Sequence, residues 1–160
     1  MSVKIISNAS PLIFLSKVEK INLLNDLFSE VFIPDGAWDE AVRKPDNATD
    51  KLCKLKSDRR LTVFTVKNTI AVSAMKGRLH KGEVEVIVGA GELGISRVVL
   101  DDGYARNKAE QMGLSVIGTL GILVAGHKKG FVTDLSSEIK KLRIIGFRIS
   151  DSIVEQIMKT

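Results

Sequence analysis

The stretch VVLDDGYAR, residues 98–106, runs three apolar residues straight into two adjacent carboxylates, Asp101 and Asp102. Two neighbouring negative charges at the end of a buried-looking strand need a partner, whether a helix terminus, a base or a metal ion. Acidic or amide side chains where a site could form recur at three other places. Asn8 closes the apolar run VKIIS, Glu40 lies in PDGAWDEAVRK, and Glu83 opens GEVEVIVGAGELG with Glu85 two residues on. Hard oxygen donors drawn from separate segments suit Mg2+ or Mn2+. Such an ion relieves the repulsion between carboxylates held close, lowers the pKa of a bound water and stabilises charge developing on phosphoryl oxygens. The chemistry open to this set is hydrolysis of a phosphodiester. Each member also has a plainer role. Glu83 suits a helix N-terminus, Glu40 reads alone as a solvated helix residue, and one of Asp101 and Asp102 N-caps the following helix. The second aspartate then still needs an explanation.

The elements that would position these residues alternate. VKIIS, EVFI, RLTVFTV, SRVVL and LSVIG read as strands. The stretch SPLIFLSKVEKINLLNDLF has helical spacing, with Ser10 as the expected N-cap and Pro11 as first residue. Pro34 opens the next helix, and ATDKLCKLKSD, NTIAVSAMKGRL, GEVEVIVGAGELG, GYARNKAEQMG, TLGILVAGHKKG, LSSEIKKLRIIG and DSIVEQIMK follow as helices. Strands separated by helices imply right-handed crossovers, hence an α/β fold with a mostly parallel sheet covered on both faces. Ligands in such sheets sit beyond the carboxyl ends of the strands. Asn8, Ser10, Asp101 and Asp102 therefore share one edge if their strands are neighbours.

Other chemistries find little support. GAGELG, Gly89 to Gly94, matches G-x-G-x-x-G, but the strand ISRVVL follows at once and leaves no room for the helix that a dinucleotide site requires. Gly94 fits better as the C-cap of a helix containing Gly89 and Gly91. No P-loop motif and no cysteine pair is present, and His80 and His127 stand alone as surface or cap residues. The single Cys53 reads as packing, and with no apolar run near the ~18 residues of a membrane span and no signal-peptide pattern the expectation is a cytoplasmic protein of one domain, residues 1–160. The formal charge of +5, with basic groups in KLCKLKSDRR, MKGRLHK, HKKG and KKLR, permits a polyanionic partner.

Taken together, IISNASPLIFLSKVEKINLL, FIPDGAWDEAV, LHKGEVEVIVGAGELG, VVLDDGYARNKAEQMGLSVIGTLGILVAGHKKG and GFRISDSIVEQIM resemble the PIN-domain superfamily. They are most similar to a branch of short archaeal and bacterial PIN-like proteins related to VapC-type toxins. The resemblance spans nearly the whole chain. It implies a three-layer α/β/α fold and a Mg2+- or Mn2+-dependent endoribonuclease acting on single-stranded or structured RNA. It also implies a homodimer, and a small antitoxin as a possible partner. By position, Asn8 takes the place of the first acidic ligand, with Ser10 the nearby hydroxyl. Glu40, Glu83 and Asp101 with Asp102 match the remaining carboxylates. The departure is Asn8, where PIN nucleases carry aspartate. Asparagine keeps a carbonyl oxygen but loses a full negative charge. An alternative expectation is therefore a PIN-like nucleic-acid-binding or regulatory protein of weak or no turnover.

Overall fold

The computed structural model describes residues 2–159. In chain order the elements are β1 (Lys4–Ser7), α1 (Ala9–Lys17), α2 (Leu23–Leu27), β2 (Glu30–Pro34), α3 (Asp35–Ala41), α4 (Asn47–Ser57), β3 (Thr62–Phe64), α5 (Thr69–Met75), α6 (Lys81–Leu93), β4 (Arg97–Val99), α7 (Gly103–Gln111), β5 (Ser115–Ile117), α8 (Thr119–Lys128), α9 (Leu135–Ile144) and α10 (Asp151–Met158). All four strand pairings are parallel, in the order β3-β2-β1-β4-β5. The central β1 thus pairs with β2 on one side and with β4 on the other. This adjacency is the one the sequence reading required, and Asn8 N–H extends it by donating to Val99 O at 3.1 Å.

Alternation along the strands sorts side chains into two cores. Ile5, Val31, Ile33 and Val99 face one apolar cluster with α1, α2, α4, α8 and α9. Ile6, Val98 and Leu100 face the other, with Val84, Val86, Ile87 and Ala90 of α6 and Ala105 and Ala109 of α7. The result is three layers, α/β/α. The helix α3 reaches across them: Ala37 and Ala41 enter the first core, while Gly36 lies against Glu85 of α6.

The long helix expected over residues 10–28 is broken. Glu19 takes a left-handed conformation, φ 60°. Its N–H bonds to Ser16 O at 3.1 Å, and Lys20 N–H to Leu15 O at 2.8 Å. This is a Schellman ending made without glycine, so composition did not announce it. Arg59, also at φ 60°, ends α4 in the same way, with Arg60 N–H on Leu55 O at 2.9 Å. The start of α1 also differs from expectation. Asn8 is its N-cap, in extended conformation, and Ser10 is its second residue. Cys53, expected to be packing, is exposed on α4. As expected, Gly94 closes α6 in left-handed conformation, φ 65°.

Candidate active site

The carboxyl edge of the sheet gathers residues from four segments. Asn8 leaves β1 half-buried, and its Oδ1 is fully buried with no hydrogen-bond partner among the described residues. An orphaned acceptor of this kind costs about 1–3 kcal/mol unless a donor or cation reaches it. It faces the first turn of α6. A Cβ placed on Gly82 would stand 2.9 Å from Asn8 Oδ1 and 3.5 Å from Glu40 Oε2 of α3. Only glycine at 82 leaves that space open between the two oxygens.

Glu83, the next residue, is buried. Its Oε1 accepts the His80 N–H at 2.9 Å, a capping bond that fixes the carboxylate over the entry to α6. Burial is the main force raising the Glu83 pKa, and the charges of Asp102 and Glu40 push it the same way. The His80 N–H bond and ring pull it back. Those influences place Glu40 and Asp102 each within electrostatic reach of Glu83. Asp102 is exposed and N-caps α7, its Oδ2 accepting Ala105 N–H at 3.0 Å.

Asp101 turns the other way. Its Oδ1 accepts Thr119 N–H at 2.7 Å and its Oδ2 accepts Thr119 Oγ1–H at 2.6 Å. Thr119 is the first residue of α8, behind Gly118. Glycine has no side chain with which to cap, so Asp101 caps α8 from the end of β4. A side chain at 118 would collide with the arrangement, since its Cβ would lie 2.6 Å from Arg106 Nη1 and 2.9 Å from Asp101 Oδ1. Burial raises the Asp101 pKa, opposed by the two Thr119 bonds and the Arg106 charge. Arg106 itself is tied to Leu100 O at 3.0 Å. The paired aspartates thus serve two helix N-termini: Asp102 that of α7, Asp101 that of α8.

The structure sets Asn8 and Glu40 on either side of Gly82, with Glu83 next in the chain and Asp102 within electrostatic reach of Glu83, and holds Asp101 on the Thr119 side. Ser10 lies half-buried in the first turn of α1, with no side-chain hydrogen bond among the described residues. Glu85, on a different face of α6, is buried against Gly36, and its Oε1 has no hydrogen-bond partner among the described residues. Gly82, the His80 N–H and the hydroxyl of Thr119 were not legible as site components. A glycine directly before the carboxylate that opens a helix was the one available signal.

Among the described residues, no three His, Cys, Asp or Glu side chains close around a single point. A divalent ion held here therefore needs the Asn8 carbonyl in its donor set and an inward turn of the exposed Glu40 and Asp102 side chains toward Glu83. The donors fit such an ion: all are hard oxygens, and one is buried and unpartnered. No helix is long and apolar enough to cross a membrane among the described residues.

A parallel sheet sandwiched by helices, with oxygen donors from β1, α3, α6 and α7 at its carboxyl edge, defines an α/β protein of the PIN type. The chain belongs to the PIN-domain family: the family model described as DUF3368: PIN domain matches residues 4–160. PIN domains are a nuclease fold and generally depend on a divalent metal. Among solved structures, the chain is similar to a PilT N-terminus domain protein from the hyperthermophilic archaeon Sulfolobus solfataricus P2. The two share 18% identity over 77% of this chain and 92% of that one, with a TM-score of 0.57. That likeness is one of fold. A comparison with curated proteins gives no match.

Proposed function

We propose that this chain, as a single PIN-like domain, is a Mg2+- or Mn2+-dependent endoribonuclease with Asn8, Glu40, Glu83 and Asp102 as the residues that hold the metal. The observation that carries the reading is the buried, unpartnered Oδ1 of Asn8, facing Glu40 across Gly82. When bound, the ion supplies an activated water and neutralises charge on the phosphoryl oxygens. The chain's own residues do the rest. The His80 N–H fixes the Glu83 carboxylate, and the Ala105 N–H fixes that of Asp102. Gly82 keeps the space between Asn8 and Glu40 clear. Lys17, Arg43 and Lys44 line a cleft beside Glu40 and suit the phosphates of a single strand, a contact that weakens with salt. Asp101, with both oxygens committed to Thr119, holds α8 and the end of β4 in register.

The test is cleavage of single-stranded RNA with Mn2+. Glu83→Gln should lower it by about 10–100-fold or more, the loss typical even for outer partners of metal ligands. Asp102→Asn should lower it comparably and leave stability within a few tenths of a kcal/mol, because asparagine caps a helix as well as aspartate does. Wild-type activity indifferent to EDTA, or to Glu83→Gln, overturns the proposal. A second reading is an RNA-binding or regulatory protein without turnover. Asn8, one charge short of the usual site, favours it, and cleavage appearing only in Asn8→Asp supports it. A toxin role with a small antitoxin, and a homodimer, rest on the family resemblance alone.

A further inference from the structure

Tyr104 is the only tyrosine of the chain. It sits in the first turn of α7, two residues beyond Asp102, and is 44% exposed. It belongs to neither apolar cluster, so burial does not account for a large aromatic at this position. Its ring is held instead by Arg78, whose Cζ lies 4.7 Å from the ring centroid. Arg78 stands two residues before His80, whose N–H is bound by Glu83. The guanidinium–ring pair therefore links the two segments that deliver Glu83 and Asp102. Arg78 makes no ion pair or hydrogen bond among the described residues, and its donors remain available to a phosphate.

We propose that Tyr104, steadied by Arg78, is the platform on which a nucleobase next to the scissile phosphate stacks. The inference rests on the ribonuclease reading for its location and deepens it by naming a substrate-contacting pair. An uncharged ring beside carboxylates adds no repulsion of phosphate, and with 44% of the residue exposed while Arg78 lies over the ring, apolar surface is left for a base to contact. The adjacent guanidinium supplies a positive charge on the Tyr104 side of the acidic edge. Stacking of this kind tolerates sequence variation and requires unpaired bases, so it selects single strands over duplex.

The experiment is binding of a fluorescent single-stranded RNA to the full chain in EDTA, read by anisotropy. Tyr104→Ala should weaken binding by roughly 5- to 100-fold, the value of one stacked base, while Tyr104→Phe stays within about twofold of wild type. An oligonucleotide with abasic sites should bind wild type and Tyr104→Ala equally. Arg78→Gln should reduce the salt slope by about one phosphate contact. Circular dichroism and melting temperature establish that each variant folds. Unchanged RNA affinity in Tyr104→Ala, the result expected if the ring served a protein partner, overturns the proposal, as does an equal loss on abasic RNA. The two proposals fail separately. Tyr104-dependent binding without metal-dependent cleavage removes the nuclease and keeps the platform. Cleavage with affinity indifferent to Tyr104 does the reverse.

Discussion

Asp101 and Asp102 differ by one position and by almost everything in their surroundings. Successive side chains at a strand end point to opposite sides, so one carboxylate meets Thr119 in a buried setting while its neighbour meets solvent and Glu83. The consequence is measurable in the metal-free protein. The Asp101 pKa is raised above its ordinary value of 3.8, chiefly by burial. A raised folded-state value means that the native protein keeps a proton that the unfolded chain has released. The associated stability is full below 3.8 and is lost as pH rises through the raised value. In chemical denaturation in EDTA from pH 4 to 8, raised carboxylates of this kind contribute a falling slope, opposed by Glu92 and Asp46, whose pKa values backbone hydrogen bonds lower. Asp101→Asn should remove part of that slope; Glu83 and Glu85, also raised by burial, retain the rest. An identical slope in the variant would contradict the assignment. The sequence announced that one aspartate of the pair would cap a helix. It could not announce that both do, because the second helix begins at Thr119 and the cap crosses between segments.

At the scale of elements, α6 shows how one helix can spend two glycines differently. A Cβ on Gly89 would stand 2.6 Å from Cζ of Phe64, the last residue of β3, whereas nothing lies within 4 Å of one on Gly91. Gly89→Ala should destabilise by about 1–3 kcal/mol through overpacking. Gly91→Ala should stabilise by roughly 1 kcal/mol, since alanine outranks glycine within a helix. Urea denaturation of the two variants checks the opposite signs. Nothing in the sequence separates the two glycines, yet only Gly89 is closely packed. Most elements were legible because their apolar periodicity is strong and their ends are marked: Gly94, Gly113 and Gly130 all adopt positive φ at helix ends. The break at Glu19 was hidden because a glutamate occupies the left-handed position that glycine usually marks.

For the molecule as a whole, the parallel order and the three layers followed from alternation of strands and helices, and the β1–β4 adjacency then converted a set of distant residues into one edge. What sequence could not supply is depth: it did not show Asn8 Oδ1 buried and unpartnered while Glu40 and Asp102 are exposed. An ion held by Asn8, Glu40, Glu83 and Asp102 would tie β1, α3, α6 and α7 together, so its binding should read out in global stability. At Mn2+ a hundredfold above Kd, linkage gives about 2.7 kcal/mol, or roughly 5–10 °C in Tm for a chain of this size. Thermal melts should show that rise in wild type, a larger one in Asn8→Asp and none in Glu83→Gln. A wild-type Tm indifferent to Mn2+ contradicts the assignment.

The hydrogen bond from Asn8 to Val99 also sets a timetable. A chain synthesised from its N-terminus can pair β1 with β2 early, but the partner that seats Asn8 is made only after β3, α5 and α6. The first two strands therefore cannot assemble the acidic edge by themselves; it forms only once β4 and Asp102 have joined them.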